Sequence, residues 1–240
     1  MSKLWQNVAE NAVFVLEFLG IIIGLFLLAA VLENLGQKKN GKKEKTFTTV
    51  KMASIGILSA MSAVLMLLEF PVFFAPPFYK FDFSEVPILL GAFAYGPAAG
   101  VMMEFLKILL KLLLKGTSTA FVGELANFAV GCSFIVPASV IYWFKKTKKT
   151  AILSCVTGTL TMMVFGSVFN GVYLLPVFAK MFHMPVEALL EMGEINPLMS
   201  KGSMVSFLIV CVAPLNLLKG LAASLAAIFV YKPLSRYLKK

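Results

Sequence analysis

What most constrains this chain is its succession of apolar runs, each long enough to cross a lipid bilayer. A helix needs about 20 largely apolar residues to span a hydrocarbon layer roughly 30 Å thick. Within lipid only helices and closed barrels satisfy their backbone polar groups. Runs of that length recur between residues 12 and 231, and the short alternating segments of a transmembrane barrel are absent. Of 240 residues, 59% are hydrophobic and 14% charged, with a mean hydropathy of +0.87; soluble domains carry about 25% charged residues. The sequence therefore predicts an all-α integral membrane protein.

The formal net charge of +10 raises nucleic acid as a partner, and its distribution excludes it. Lys38, Lys39, Lys42, Lys43, Lys45 and Lys51 form one cluster, Lys145, Lys146, Lys148 and Lys149 a second, and Lys232, Arg236, Lys239 and Lys240 a third. Each abuts an apolar run, as the positive-inside rule expects of cytoplasmic loops. The bilayer accounts for the charge, and the chain is expected to cross a membrane several times. Cys132, Cys155 and Cys211 stand alone within apolar runs, with no CxxC pair for metal or redox chemistry. The first apolar run lacks a basic leader beyond Lys3 and exceeds an ordinary signal-peptide core of 7–15 residues, so it reads as a retained helix.

That helix is expected over residues 12–32, with Gly20 and Gly24 spaced for close helix approach and Glu17 snorkelling near its end. The segments 1–36 and 37–48 read as an appended transmembrane helix and a basic cytoplasmic linker, ahead of a unit at 49–240. The next helix covers 50–69 and presents Gly56 and Ala60, with Ser59 and Ala63 one register over, as small-residue strips for packing. A loop dense in proline and aromatics follows. Residues 88–114 are one helix or two. Both lysine clusters at 38–51 and 145–149 must face the same side, so an even number of crossings separates them. Breaking the run at Gly96-Pro97, where proline disrupts a helix, gives that parity. Further helices are expected over 119–143, after a GTST cap, over 151–178, and up to 231, with Pro214 kinking or starting the last. An outer loop carries a short amphipathic helix in PVEALLEMGEINP. Seven crossings result.

Ionisable residues inside a membrane segment mark functional sites, and the stretch 81–131 holds several. Glu104, Lys107, Lys111 and Lys115 share one helix face. Either they form a partly wet, self-neutralising stripe with snorkelling lysines, or they touch substrate or a partner; the stripe is expected to lie off the pocket. At 1.5 Å per residue, Asn127 lies about 27 Å, Asn170 about 30 Å and Lys219 about 20 Å from the lysines that end their helices. These three, with Glu124 and Asn216 slightly further out, share the outer half of the membrane. Glu124 with Asn127, and Asn216 with Lys219, are spaced i, i+3 and share a helix face. Asparagine offers one acceptor and two donors, suited to a heterocyclic edge of carbonyl and N–H groups. The alternative is a structural Glu124–Lys219 ion pair with asparagines bonding between helices.

No HExxH, GxSxG or glycine-rich phosphate loop is present, and His183 has no evident ligand partner. Neither an enzyme nor an ATPase is indicated, so energy for transport must come from other subunits.

At FDFSEVPILLGAFAYGPAAGV, EFLK, GTSTAFVGELANF, VFNGVYLLP, APLNLLKG and YKPLS, residues 49–240 resemble the substrate-binding S-components of energy-coupling-factor (ECF) vitamin transporters, most closely the riboflavin-specific type. The resemblance implies a six-helix core with an outward-opening pocket, here with one extra N-terminal transmembrane helix. It implies riboflavin or a related flavin as transported ligand and no cofactor. A coupling membrane subunit with two ATPase subunits would drive uptake. Family ligand contacts carry over to Asn170, Asn216 and Lys219, with Glu124 and Asn127 on the neighbouring wall. The family's Ala-xxx-Ala coupling motif corresponds imperfectly to Gly56-xxx-Ala60. The competing readings are an S-component for another vitamin or a flavin nucleotide, and a structural or assembly membrane protein without a small-molecule ligand.

Overall fold

The computed structural model describes residues 12–41, 48–117, 119, 121–194 and 196–238. Lys42, Lys43 and Lys45 of the linker, Ser118 of the GTST cap, and Lys239 and Lys240 lie outside the described residues. Helix α1 covers Ala12–Lys39 and α2 Thr49–Leu67. Two short antiparallel strands, β1 (Phe70–Pro71) and β2 (Lys80–Phe81), close the segment that follows. Then come α3 (Glu85–Tyr95), α4 (Pro97–Lys115) and α5 (Val122–Phe144). Helix α6 runs over Lys148–Met181, α7 is the short Val186–Glu191, and α8 begins at Met204 and ends at Leu238.

Local chemistry explains most of these ends. The Thr48 hydroxyl accepts the Lys51 N–H at 3.2 Å and starts α2; Thr147 does the same for Thr150 at 3.2 Å and starts α6. Such caps take up amides that the helix leaves unpaired. The chain breaks at Gly96, whose φ of 100° is strained for any residue with a Cβ, and Pro97 then opens α4, where its missing N–H costs nothing.

The break produces a hairpin. Glu85 at the start of α3 reaches Lys107 on α4 at 2.8 Å, while the α4 terminus continues to Lys115, 2.9 Å from Glu69. With 11 residues, α3 is only about 16 Å long, and residues 80–84 complete that pass alongside the rest of α4. One end of the bundle gathers the end of α1, the start of α2, the α3–α4 turn and the α5–α6 turn: Glu33 pairs with Lys51 at 3.2 Å and accepts the Ala98 N–H at 3.1 Å, and the Asn40 amide donates to the Trp143 carbonyl at 3.1 Å. Glu69, Lys80, Lys115 and the loop from α6 to α8 occupy the other end. The chain thus passes four times between residues 41 and 148, the parity that the lysine clusters required.

Two helices are longer than their composition suggested, for the same reason. In α6 the segment Asn170–Leu174 is a π turn, and in α8 so is Leu208–Val212. Each ends two residues before a proline, Pro176 and Pro214. A proline ring collides with the carbonyl four residues earlier. The extra residue of a π turn moves that carbonyl away: Leu175 N–H bonds Asn170 O and Ala213 N–H bonds Leu208 O, five residues back. Pro214 therefore neither starts α8 nor breaks it.

Ile88, Leu89, Met103, Phe134 and Ile135 form the central core. A second cluster, with Leu175, Leu190 and Phe207, lies under α7 at the end that holds Glu69 and Lys80. A third joins Phe18 and Ala29 of α1 to Ile108 and Phe128, so α1 packs on α4 and α5. Ile57, Met61 and Val64 of α2, like Leu16, Ile23 and Leu27 of α1, stay exposed, as residues facing lipid must.

Candidate functional site

A cavity of about 370 Å³ opens at the end of the bundle that holds Glu69 and Lys80, walled by residues 78–82, α4, α5, α6 and α8. That volume suits a small organic ligand. All five residues singled out by depth line it: Glu124, Asn127, Asn170, Asn216 and Lys219.

Asn170 is the first residue of the α6 π turn. Its Oδ1 accepts the Tyr79 hydroxyl at 2.6 Å, and its Nδ2 donates to the Gly166 carbonyl at 2.8 Å. Gly166 also makes room for the second asparagine, since a Cβ there would lie 2.5 Å from Asn216 Nδ2. The two amides therefore meet across one glycine. Asn216 is 6% exposed, makes no hydrogen bond among the described residues, and faces the cavity. Its side-chain amide is therefore open to a ligand that offers a donor or an acceptor. On the opposite wall the Asn127 amide donates to Gly123 O at 2.9 Å. Glu124 Oε2 accepts the Thr117 and Thr119 hydroxyls at 3.0 and 3.2 Å. Those same hydroxyls accept the N–H groups of Phe121 and Gly123, so the threonines of GTST anchor the α5 start as expected and also orient a cavity carboxylate.

Ion pairing differs from the sequence reading in two respects. Glu124 and Lys219 do not pair. Lys219 Nζ lies 3.0 Å from Asp82 Oδ2, and Glu124 Oε1 lies 3.7 Å from Lys111 Nζ. The α4 stripe, expected off the pocket, faces inward: Lys111 lines the cavity, and Glu104 and Lys107 are fully buried. The reason is that their partners sit on other elements, Glu85 on α3 and Glu124 on α5, so the low-dielectric interior holds these charges as pairs. Lys115 alone keeps the wet position that a snorkelling lysine would take. Asp82 is buried and its Oδ1 accepts the Ser84 N–H at 2.9 Å, so the carboxylate that meets Lys219 is held from two sides.

Tyr79, Asp82 and Lys111 are cavity residues absent from the sequence-derived set. The aromatic-rich loop and the acid in FDF were the only signals for Tyr79 and Asp82, whereas Lys111 stood in the α4 stripe, for which contact with substrate was one of the two readings. Apolar walls come from Leu174, Phe178, Val212 and Leu215. Gly56 and Ala60 lie elsewhere, on the outward face of α2: a Cβ on Gly56 would meet nothing within 4 Å, whereas Ser59 and Ala63 are buried in the bundle. Gly20 and Gly24 of α1 are likewise open. The three cysteines are buried and form no disulfide, and no cluster of three or more His, Cys, Asp or Glu placed to hold a metal ion occurs among the described residues.

A helical bundle of membrane-spanning length around a solvent-open cavity with polar walls defines an integral membrane protein built to hold a small polar ligand. Residues 50–231 match the family described as ECF transporter, substrate-specific component. The chain is 31% identical over 202 residues to riboflavin transporter RibU of Staphylococcus aureus (strain TCH60), covering 84% of this chain and 99% of that protein. It is 28% identical to riboflavin transporter FmnP of Bacillus subtilis (strain 168), over 79% of this chain and 94% of that one. For RibU of Streptococcus thermophilus the identity is 34%, over 80% and 86%. A solved structure described as "Structure and mechanism of the S component of a bacterial ECF transporter" superposes with a TM-score of 0.62 at 31% identity, covering 79% of this chain and 98% of that chain. The chain belongs to the substrate-specific components of ECF transporters. It is a six-helix S-component core (α2, α3, α4, α5, α6 and α8) carrying one additional N-terminal transmembrane helix, α1.

Proposed function

We propose that this chain binds riboflavin in the outer cavity and delivers it across the cell membrane, driven by an ECF module of one coupling membrane subunit and two ATPase subunits. The observation that carries the reading is the Asn216 amide, nearly buried, unpartnered and directed at the cavity beside Asn170 and Lys219. A flavin ring presents alternating carbonyl and N–H groups along one edge, which two amides and an ammonium match. Leu174, Phe178, Val212 and Leu215 would cover its apolar faces. The names of the relatives point to the same ligand. In this reading the chain acts as a transport subunit, by binding and positioning its ligand. The lysine-rich end would face the cytoplasm. There the open Gly56/Ala60 strip of α2 would meet the coupling subunit, small side chains allowing close approach at little entropic cost.

Purification in detergent tests this directly. Protein that carries a yellow chromophore with flavin absorbance, or that quenches added riboflavin stoichiometrically, supports the reading. Colourless protein that leaves riboflavin fluorescence unchanged overturns it.

A further inference from the structure

Beneath the cavity floor, Lys107 Nζ lies 2.8 Å from Glu85 Oε1 and 2.6 Å from Glu104 Oε2. Two carboxylates thus share one ammonium. Lys107 and Glu104 are completely buried and Glu85 is 7% exposed. Glu85 Oε2 and Glu104 Oε1 are buried and have no hydrogen-bond partner.

The surroundings leave the charge unbalanced. The groups facing the pair are Lys107 on its own helix α4, Asp82 from the loop before α3, and Cys132 from α5. From α2 comes Ser62, which is already hydrogen bonded to the Ser84 carbonyl. Lys219 of α8 is taken by Asp82. Asp82, Glu85 and Glu104 therefore stand against Lys107 and Lys219, one negative charge in excess, and Glu85 Oε2 and Glu104 Oε1 are on its buried side. An uncompensated buried charge is among the least tolerable features of a protein interior. The site is also shaped for its second carboxylate, since a Cβ on Gly131 would lie 2.7 Å from Glu104 Oε2. Only glycine leaves that space.

We propose that the Glu85–Glu104 pair is a binding site for one small monovalent cation, a proton or a sodium ion, held between the two free carboxylate oxygens. Glu85 also lines the cavity, so the ion forms part of the cavity floor, while Glu104 stands behind it and out of reach of a ligand. Occupancy sets the charge beneath the bound substrate without an ion of its own crossing the cavity.

The test uses the full-length protein in lipid nanodiscs, wild type and Glu104→Gln, with Glu85→Gln as a second isosteric variant should the first fail to fold. Infrared spectra at neutral pH in choline chloride report protonated carboxyl groups by their carbonyl stretch. Unfolding temperatures are followed as sodium chloride replaces choline chloride at constant ionic strength. For a proton, the wild type shows a carboxylic-acid band that Glu104→Gln lacks, and its stability ignores sodium. For sodium, the wild type gains stability saturably with the ion, and Glu104→Gln does not respond. A wild type with neither the band nor the sodium response overturns the proposal. So does a band or response that survives unchanged in the variant.

Discussion

Lys219 of α8 and Asp82 of the loop before α3 stand 3.0 Å apart across 137 residues of sequence. This pair ties the last transmembrane helix to the segment that completes the α3 pass, and both residues line the cavity. The cavity wall and the loop over it are therefore one electrostatic unit.

Breaking a buried pair by removing one partner costs about 3–5 kcal/mol, because the other charge is stranded. Asp82→Asn and Lys219→Met should each lower the unfolding temperature, and the double variant should recover part of the loss.

Asn170→Ala and Asn216→Ala should each weaken riboflavin binding by roughly five- to hundredfold, the equivalent of about 1–3 kcal/mol for an unpaired buried partner. Lys111→Ala should also weaken it, since Lys111 lines the cavity and pairs with Glu124. Lys149→Ala, exposed at the opposite end, should change nothing. Quenching of flavin fluorescence measures all four variants. Unaltered affinity in both asparagine variants would place the ligand elsewhere.

Gly56→Leu combined with Ala60→Leu should stop riboflavin uptake in cells while the purified protein still binds its ligand. The open face of α2 gives the larger side chains room within this chain, so a loss of binding would mean that the strip serves the fold itself.

Cysteines introduced at Gly41 and Lys148 should be labelled from the cytoplasmic side, and one at Lys201 from the outside. The buried native cysteines should stay silent. Labelling of positions 41 and 148 from opposite faces would contradict the four passes between them.

Glu33→Ala should destabilise the protein by about 3–5 kcal/mol, as it strands Lys51 and uncaps the α4 amide of Ala98. Glu33→Gln, which keeps an acceptor for that amide, should cost less. Thermal unfolding of the two variants separates the ion pair from the cap.

The course of the chain through the membrane was legible because its signals are local. Lysine clusters fix the ends of helices, Gly96-Pro97 fixes the break, and a depth in the bilayer follows from counting residues at constant rise. Depth alone brought Glu124, Asn127, Asn170, Asn216 and Lys219 together. What depth cannot supply is the direction a helix faces or which charge meets which. Glu104, Lys107 and Lys111 form the same stripe whether it looks out to headgroups or in to Glu85 and Glu124. Lys219 meets Asp82 and not Glu124 only because residues 80–84 fold in beside α4. Glu33 of α1, in a segment whose composition reads as an attachment, turns out to bind two core elements through one carboxylate.

The π turns of α6 and α8 carry a consequence for the numbering of faces along these helices. Each inserts a single residue, and one residue corresponds to about 100° of rotation around an α-helix. Beyond Leu174 and Val212, side chains therefore point a little over a quarter-turn away from where an uninterrupted helix would aim them. Asn170 sits at the start of one such phase step and Asn216 shortly after the other. Deleting one residue from either turn would leave composition and hydropathy almost untouched, yet it would swing an asparagine or the aromatic wall beside it out of the cavity. Length within these two turns, more than the identity of the side chains in them, sets the shape of the site.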